Sequence, residues 1–156
     1  MATIQRFEDL MMFKKARELT KLVYKAFTAC RDNGFRDQIQ RASVSIVSNI
    51  AEGFESGTKY EFLNYLYIAK ASAGEVRAQL YVASDIGYLN IETFKHLNSL
   101  AEECSRLIAS FAKRVKIGGM SGSQLKREAP RDIVGEMIMK AGYVRLPNGQ
   151  VVEKKD

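Results

Sequence analysis

The sequence predicts an all-α protein: an antiparallel up-down-up-down four-helix bundle with a C-terminal tail. Three observations carry that expectation. Four stretches repeat apolar residues at alternating steps of three and four, the breaks between them are only a few residues long, and no alternating strand pattern occurs before residue 142. Both prolines, Pro130 and Pro147, lie beyond the fourth stretch, so nothing interrupts the helical periodicity.

The first helix is expected from about Phe7 to Cys30. Met12, Ala16, Leu19, Val23 and Ala26 form its stripe, and Leu10, Phe13, Tyr24 and Phe27 broaden it. The break Arg31-Asp32-Asn33-Gly34 ends it, with Asn33 or Gly34 suited to a left-handed cap. A connection this short makes the flanking helices antiparallel neighbours.

The second helix, Gln38 to Glu55, has an unusually wide apolar side. At about 100° per residue, Arg41, Ser45, Ser48, Glu52 and Glu55 share one narrow polar line, while Ile39, Ala42, Ile46, Val47, Ile50, Ala51 and Phe54 fill about half the circle opposite. One helix neighbour needs an apolar stripe of only about 100°. The excess predicts contact with another subunit, and Val44, Val47, Ala51 and Phe54 are the expected oligomer interface.

Thr58 and Glu61 have capping-box spacing and open the third helix. Phe62, Leu66, Ala69, Ala73, Val76, Leu80, Ala83 and Gly87 then run at steps of four and three, with Gly87 placed to stop the helix. Asn90 caps the fourth helix, whose seam is Phe94, Leu97, Ala101, Cys104, Ile108, Phe111 and Val115. Phe62, Leu66, Val76, Leu80, Phe94, Leu97, Ile108 and Phe111 should be nearly buried.

After Val115 the composition turns to Gly118-Gly119-Met120-Ser121-Gly122-Ser123, a flexible linker by its residues. The bundle is therefore placed at residues 1–116 and the linker and extension at 117–156. In the extension, Pro130 opens a short helix with Ile133, Met137 and Ile138 on its apolar side and Gly142 at its end. Tyr143 to Leu146 and Gln150 to Glu153 flank Pro147-Asn148-Gly149 as a small hairpin. A lone two-stranded hairpin is marginal in water, so it must dock or stay mobile.

A chain of 156 residues buries on the order of 70% of its unfolded surface and folds without staples. Cys30 and Cys104 have no CxxC or Cys/His spacing, so they read as small apolar residues in a reducing cytoplasm, and no metal is expected. The first 18 residues carry charges where a signal peptide would need an apolar run, and no window approaches the roughly 18 apolar residues of a membrane span. A soluble cytoplasmic protein with no membrane partner is expected. The excess of 24 Lys and Arg over 18 Asp and Glu, formally +6, favours polyanion partners.

Gln38-Ile39-Gln40-Arg41-Ala42-Ser43-Val44-Ser45-Ile46-Val47-Ser48-Asn49-Ile50-Ala51-Glu52-Gly53 resembles the QIRRAAVSIPSNIAEG signature of the four-helix-bundle proteins encoded in intervening sequences of bacterial 23S ribosomal RNA genes. Phe7 to Leu10 with Phe13, Lys15 and Ala16 is similar to that family's opening. Tyr60 to Leu63 with Tyr67 to Ala69 is similar to its third-helix start, and Asp85 to Leu89 to its last turn. The chain departs from the pattern at Phe13, where the family usually has tryptophan, at Val47, where it usually has proline, and in the tail from about Ile117. The valine predicts a straighter second helix. The resemblance implies a left-handed bundle, a ring-like homopentamer and no known catalysis. A related set, the accessory proteins of diversity-generating retroelements, implies a reverse transcriptase and its template RNA as partners.

Lys14, Arg17, Lys21 and Lys25 lie at steps of three, four and four, one line along the first helix that can track a phosphate backbone. Arg41 and Arg114, with other basic residues near the helix ends, extend the candidate RNA-binding set. No base-reading motif accompanies them, so binding should be backbone-directed and salt-sensitive. Glu52 and Asn49 lack the second group that acid-base chemistry needs, so no catalytic residues and no cofactor are expected, and Ser45, Ser48, Asn49 and Glu52 read as packing polarity. His96 has no partner at metal-ligand spacing, and Tyr60, Tyr65, Tyr67 and Tyr81 read as helix-packing aromatics. The leading expectation is a non-enzymatic, homo-oligomeric protein that binds structured RNA. The alternative is a protein-interaction scaffold such as a reverse-transcriptase accessory.

Overall fold

The structure, a computed structural model, describes residues 4–117, 139–141, 143–145 and 150–153. The chain separates into two compact units, Met1–Leu125 and Lys126–Asp156. Four helices make up the first: α1 (Met11–Ala26), α2 (Asn33–Glu55), α3 (Lys59–Asp85) and α4 (Ile91–Ile117). Helix α1 packs on α2 and α4, and α3 packs on the same two, so the helices stand at the corners of a square with α1 and α3 across its diagonal. This is the all-α antiparallel four-helix bundle that the periodicity predicts.

Helices α2, α3 and α4 each begin where a side chain takes a free amide of the first turn, whereas α1 starts after Leu10 with no side-chain cap. The Asp32 carboxylate accepts from the Phe35 amide at 3.0 Å, the Thr58 hydroxyl oxygen from the Glu61 amide at 3.1 Å, and the Asn90 side-chain oxygen from the Thr93 amide at 2.8 Å. Thr58 also donates its hydroxyl to the Glu61 carboxylate at 3.0 Å, so the expected pair meets side chain to side chain, with the hydroxyl in the place that a capping box gives to the Thr58 amide. Helix α3 ends in the expected place: Gly87 has φ +80°, the Tyr88 amide donates to Ala83 O at 2.8 Å and the Gly87 amide to Ser84 O at 3.2 Å. That pair of bonds is a Schellman stop, which needs a residue without a Cβ at the left-handed position.

The first turn of the bundle differs from expectation. Phe7–Asp9 is a separate 3-10 turn, and α1 runs only from Met11 to Ala26. Asn33 and Gly34 do not cap α1; they open α2, because the Asp32 side chain captures the amide ahead of them. An N-cap outcompetes a left-handed C-cap here because it satisfies a helix start directly.

The core runs the length of the bundle. Leu66, Val76, Leu80 and Ile108 are fully buried, as are Phe62 and Leu97 to within a percent. Phe94 and Phe111 are only half-buried, against expectation, because each lies at the edge of the seam in an edge-on ring contact, with Tyr81 at 5.0 Å and Phe62 at 5.8 Å respectively. At the end where α2 runs into α3, Phe7, Phe13, Phe54, Phe62 and Phe111 form a chain of T-shaped contacts with centroids 4.8 to 6.4 Å apart. Polar locks sit between helices. Thr20 donates to Ser43 O across the α1–α2 contact at 3.0 Å, and the hydroxyls of Ser45 and Ser72 meet across α2–α3 at 2.9 Å.

In the second unit, β1 (Tyr143–Arg145) pairs antiparallel with β2 (Val151–Glu153), with Val144 opposite Val152. This is the hairpin read from the sequence. Its expected turn, and the short helix expected around Pro130, Ile133, Met137 and Ile138, lie outside the described residues.

Candidate nucleic-acid interface

Helix α1 carries five cations and one carboxylate. Lys14, Arg17, Lys21 and Lys25 are all exposed on its outer crest, and none has a carboxylate within ion-pair distance among the described residues. Lys15 stands about 100° away around the helix and is the cation that the fold consumes. It bonds Glu18 at 3.1 Å and lies 3.7 Å from Glu103 of α4, and these two carboxylates raise its pKa. The lone acid of α1 is thereby turned toward Lys15, leaving the crest uniformly positive. Arg17 is partly fixed, its guanidinium 5.9 Å from the centre of the Phe13 ring.

The crest divides two grooves. Arg17, Thr20, Lys21 and Tyr24 of α1 face Val44 and Val47 of α2 around a cavity of about 300 Å³. On the other side, Lys25 joins Leu22, Ala26, Glu92, Thr93, His96 and Leu97 around about 410 Å³ between α1 and α4. Arg114 lines a smaller cavity of about 160 Å³ with Leu10, Met11 and Met12, which brings it beside the start of α1. Arg41 is exposed on α2, about 60° around that helix from Val44, apart from the α1 line.

The residues assigned to an oligomer interface separate. Val44 is 39% exposed, and Val47 and Ala51 are half-buried, packed against the edge of the core. Phe54 is 1% exposed and packs between Phe7 and Phe62, so its place in that set is corrected: the subunit's own aromatic end consumes it. Sequence reasoning also missed that Val44 and Val47 share one groove with Arg17 and Lys21, since two helices must be superposed before that juxtaposition exists.

Ser45 and Asn49, on the polar side of α2, are engaged in packing. Asn49 donates to Ser45 O at 2.7 Å and lies 3.0 Å from its hydroxyl, which meets Ser72. Among the described residues no group of three or more His, Cys, Asp and Glu could hold a metal ion. Cys30 and Cys104 are both free thiols, and burial pushes the Cys104 thiol up to about 12. At the opposite end of the bundle from the aromatic chain, Tyr88 donates its hydroxyl to Asp32 at 3.0 Å while its ring meets Phe35 edge-on at 5.5 Å, tying the α1–α2 and α3–α4 turns together. The Phe35 amide and then the Tyr88 hydroxyl hold the Asp32 carboxyl below its usual range. Among the described residues, no helix is long and apolar enough to cross a membrane.

The sequence comparison gives a family and the structure comparison a fold. The sequence model described as "23S rRNA-intervening sequence protein" matches residues 8–110, from the turn before α1 almost to the end of α4. A crystal structure of a protein of unknown function from the S23 ribosomal protein family of Bacteroides thetaiotaomicron VPI-5482 superposes with a TM-score of 0.60 at 24% identity. The match covers 65% of this chain and 95% of that one, and shows a shared fold. No curated protein matches the chain. With the match spanning the signature on α2 and the helices packed around it, the chain belongs to the family of 23S rRNA-intervening sequence proteins.

Proposed function

We propose that the protein is a non-enzymatic, self-associating cytoplasmic protein that binds structured RNA through the crest of α1. The observation that carries this reading is the line of Lys14, Arg17, Lys21 and Lys25 without ion-pair partners among the described residues, exposed on one helix while the neighbouring Lys15 is paired with Glu18 and Glu103. Such a line contacts phosphates without reading bases, so binding is strong at low salt and weakly sequence-selective. Arg114, beside the start of α1, joins the set. Self-association repeats the crest on each copy and turns weak attraction into avidity.

Replacing Lys21 and Lys25 with glutamine tests the reading. Each lost contact should lower the slope of log affinity against log salt by about 0.7 for single strands, nearer 0.9 for duplex. Affinity should fall with it while oligomer mass stays unchanged. A specific observation favours a second reading: Val44 and Tyr24, 39% and 45% exposed, line an apolar-floored groove that suits a protein partner such as a reverse transcriptase. Unchanged affinity and slope in the double variant would place that scaffold role first.

A further inference from the structure

The two grooves beside the crest of α1 differ in chemistry. The one toward α4 includes Glu92 and is mixed in charge. The one toward α2 is lined by Arg17, Thr20, Lys21, Tyr24, Val44 and Val47, none of them acidic. At about 100° per residue, Tyr24 lies on the α2 side of the line drawn by Arg17 and Lys21, whereas Lys25 lies on the α4 side. Along the helix, Tyr24 stands about 4.5 Å beyond Lys21, and Lys21 about 6 Å beyond Arg17.

The bundle leaves Tyr24 unused. Among the described residues its ring meets no other ring and its hydroxyl has no hydrogen-bond partner, and the residue is 45% exposed. Tyr81 and Tyr88, by contrast, pack edge-on against Phe94 and Phe35. The rest of the groove is apolar below its cationic rim. Val44 and Val47 belong to its wall, and Thr20 donates its hydroxyl to Ala16 O at 2.9 Å and Ser43 O at 3.0 Å, which leaves it no free donor.

We infer that this groove seats one unpaired base of the bound RNA, stacked on Tyr24, with the phosphates beside that base on Arg17 and Lys21. The two halves of the site select the two halves of the occupant. Arg17 and Lys21 continue into Lys14 and Lys25, so the occupant carries negative charge repeated along the crest. The exposed ring and the valine wall call for a flat apolar group next to those charges. A nucleotide has a planar face beside every phosphate, whereas an acidic peptide carries its charge on the side chains themselves. An uninterrupted duplex supplies the phosphates alone, because its bases are paired and stacked inside; a bulge, loop or single strand can splay a base onto an aromatic side chain. The cavity of about 300 Å³ is at the small end for a ligand site and suits one base rather than a stacked run. Stacking accepts any base, so the preference is for unpaired structure and not for sequence.

This inference rests on the RNA-binding reading above and names the feature of the RNA that the crest selects. The test is fluorescence anisotropy with two labelled RNAs, a fully paired duplex and the same duplex interrupted by a short adenosine bulge. The parent should bind the bulged RNA more tightly. Tyr24→Ala should weaken the bulged RNA by roughly tenfold and leave the duplex unchanged, with the helical signal kept because the side chain is half exposed. Tyr24→Phe, which keeps the ring, should keep the preference. Lys21→Gln/Lys25→Gln should weaken both RNAs, which separates the stacked base from the general attraction to phosphate. A fluorescent adenine analogue in the bulge should change its emission on binding the parent and Tyr24→Phe, but not Tyr24→Ala. Adenosine monophosphate should compete poorly, since it lacks the phosphates that lie along the crest; competition at the concentration of the RNA itself would overturn RNA as the source of the base. A parent that binds both RNAs alike, or a Tyr24→Ala protein that keeps the preference, overturns this inference alone and returns the groove to a protein partner. A parent that binds neither RNA at low salt overturns it together with the RNA-binding reading.

Discussion

Alanine at Gly53 probes the point where α2 and α3 come closest. A Cβ built there lies 2.7 Å from Tyr65 Cβ, 3.0 Å from Phe62 Cδ2 and 3.4 Å from Phe62 O. The first two atoms sit at or near the backbone of α3 and within the aromatic chain, so neither can swing aside as a flexible side-chain end would. Relief requires the end of α2 to move from α3 by on the order of 0.7 Å, and a gap of that size forfeits a quarter to a half of each contact well along the seam. Overpacking of this kind costs about 1 to 3 kcal/mol. Loosening the Phe54–Phe62 and Phe62–Phe111 pairs adds part of the roughly 0.5 to 1.5 kcal/mol each is worth. Against this, alanine gains at most about 1 kcal/mol of helix propensity over glycine. The net expectation is a loss of about 2 kcal/mol, which at roughly 4 °C per kcal/mol lowers the melting temperature by about 8 °C. Thermal and urea unfolding followed by circular dichroism would measure it. Gly34→Ala, whose Cβ would meet only Asp32 Oδ1 at 3.6 Å, is the matched control and should be neutral or stabilising by a few tenths of a kcal/mol. A Gly53→Ala protein as stable as the parent would refute the close-approach argument.

Two further expectations concern the core and the far end of the bundle. Leu80→Ala should cost about 2 to 5 kcal/mol, because the side chain is fully buried. The half-buried Phe111→Ala should fall near the lower end of that range, and no change in melting temperature for either would mean the seam is not the core. The Asp32 carboxyl is held below its ordinary value by the Phe35 amide and the Tyr88 hydroxyl. Its contribution is therefore complete above the unfolded carboxylate pKa of about 4 and is lost as pH falls through the lower folded value. The melting temperature should drop across that acid window, and Asp32→Asn, which keeps a capping oxygen but no titrating proton, should flatten the drop; an identical acid profile in the variant would assign the loss to other carboxylates.

The sequence by itself determined the helices. Steps of three and four place Leu66, Leu80, Leu97 and Ile108 on inward faces whatever the neighbours are, and Thr58, Asn90 and Gly87 act through local hydrogen bonds and backbone conformation. The cationic crest was legible for the same reason, since Lys14, Arg17, Lys21 and Lys25 lie on one face of one helix. Tertiary structure decided everything that needs two helices at once. It spent Lys15 on Glu103, buried Phe54 among Phe7 and Phe62, and placed Val44 beside Lys21. It also gave Asp32 to α2 rather than leaving Asn33 and Gly34 to end α1. A helix periodicity fixes an azimuth but not the partner standing there, and only the packed bundle shows which outward residues have been consumed, like Lys15, and which, like Lys21 and Lys25, remain exposed.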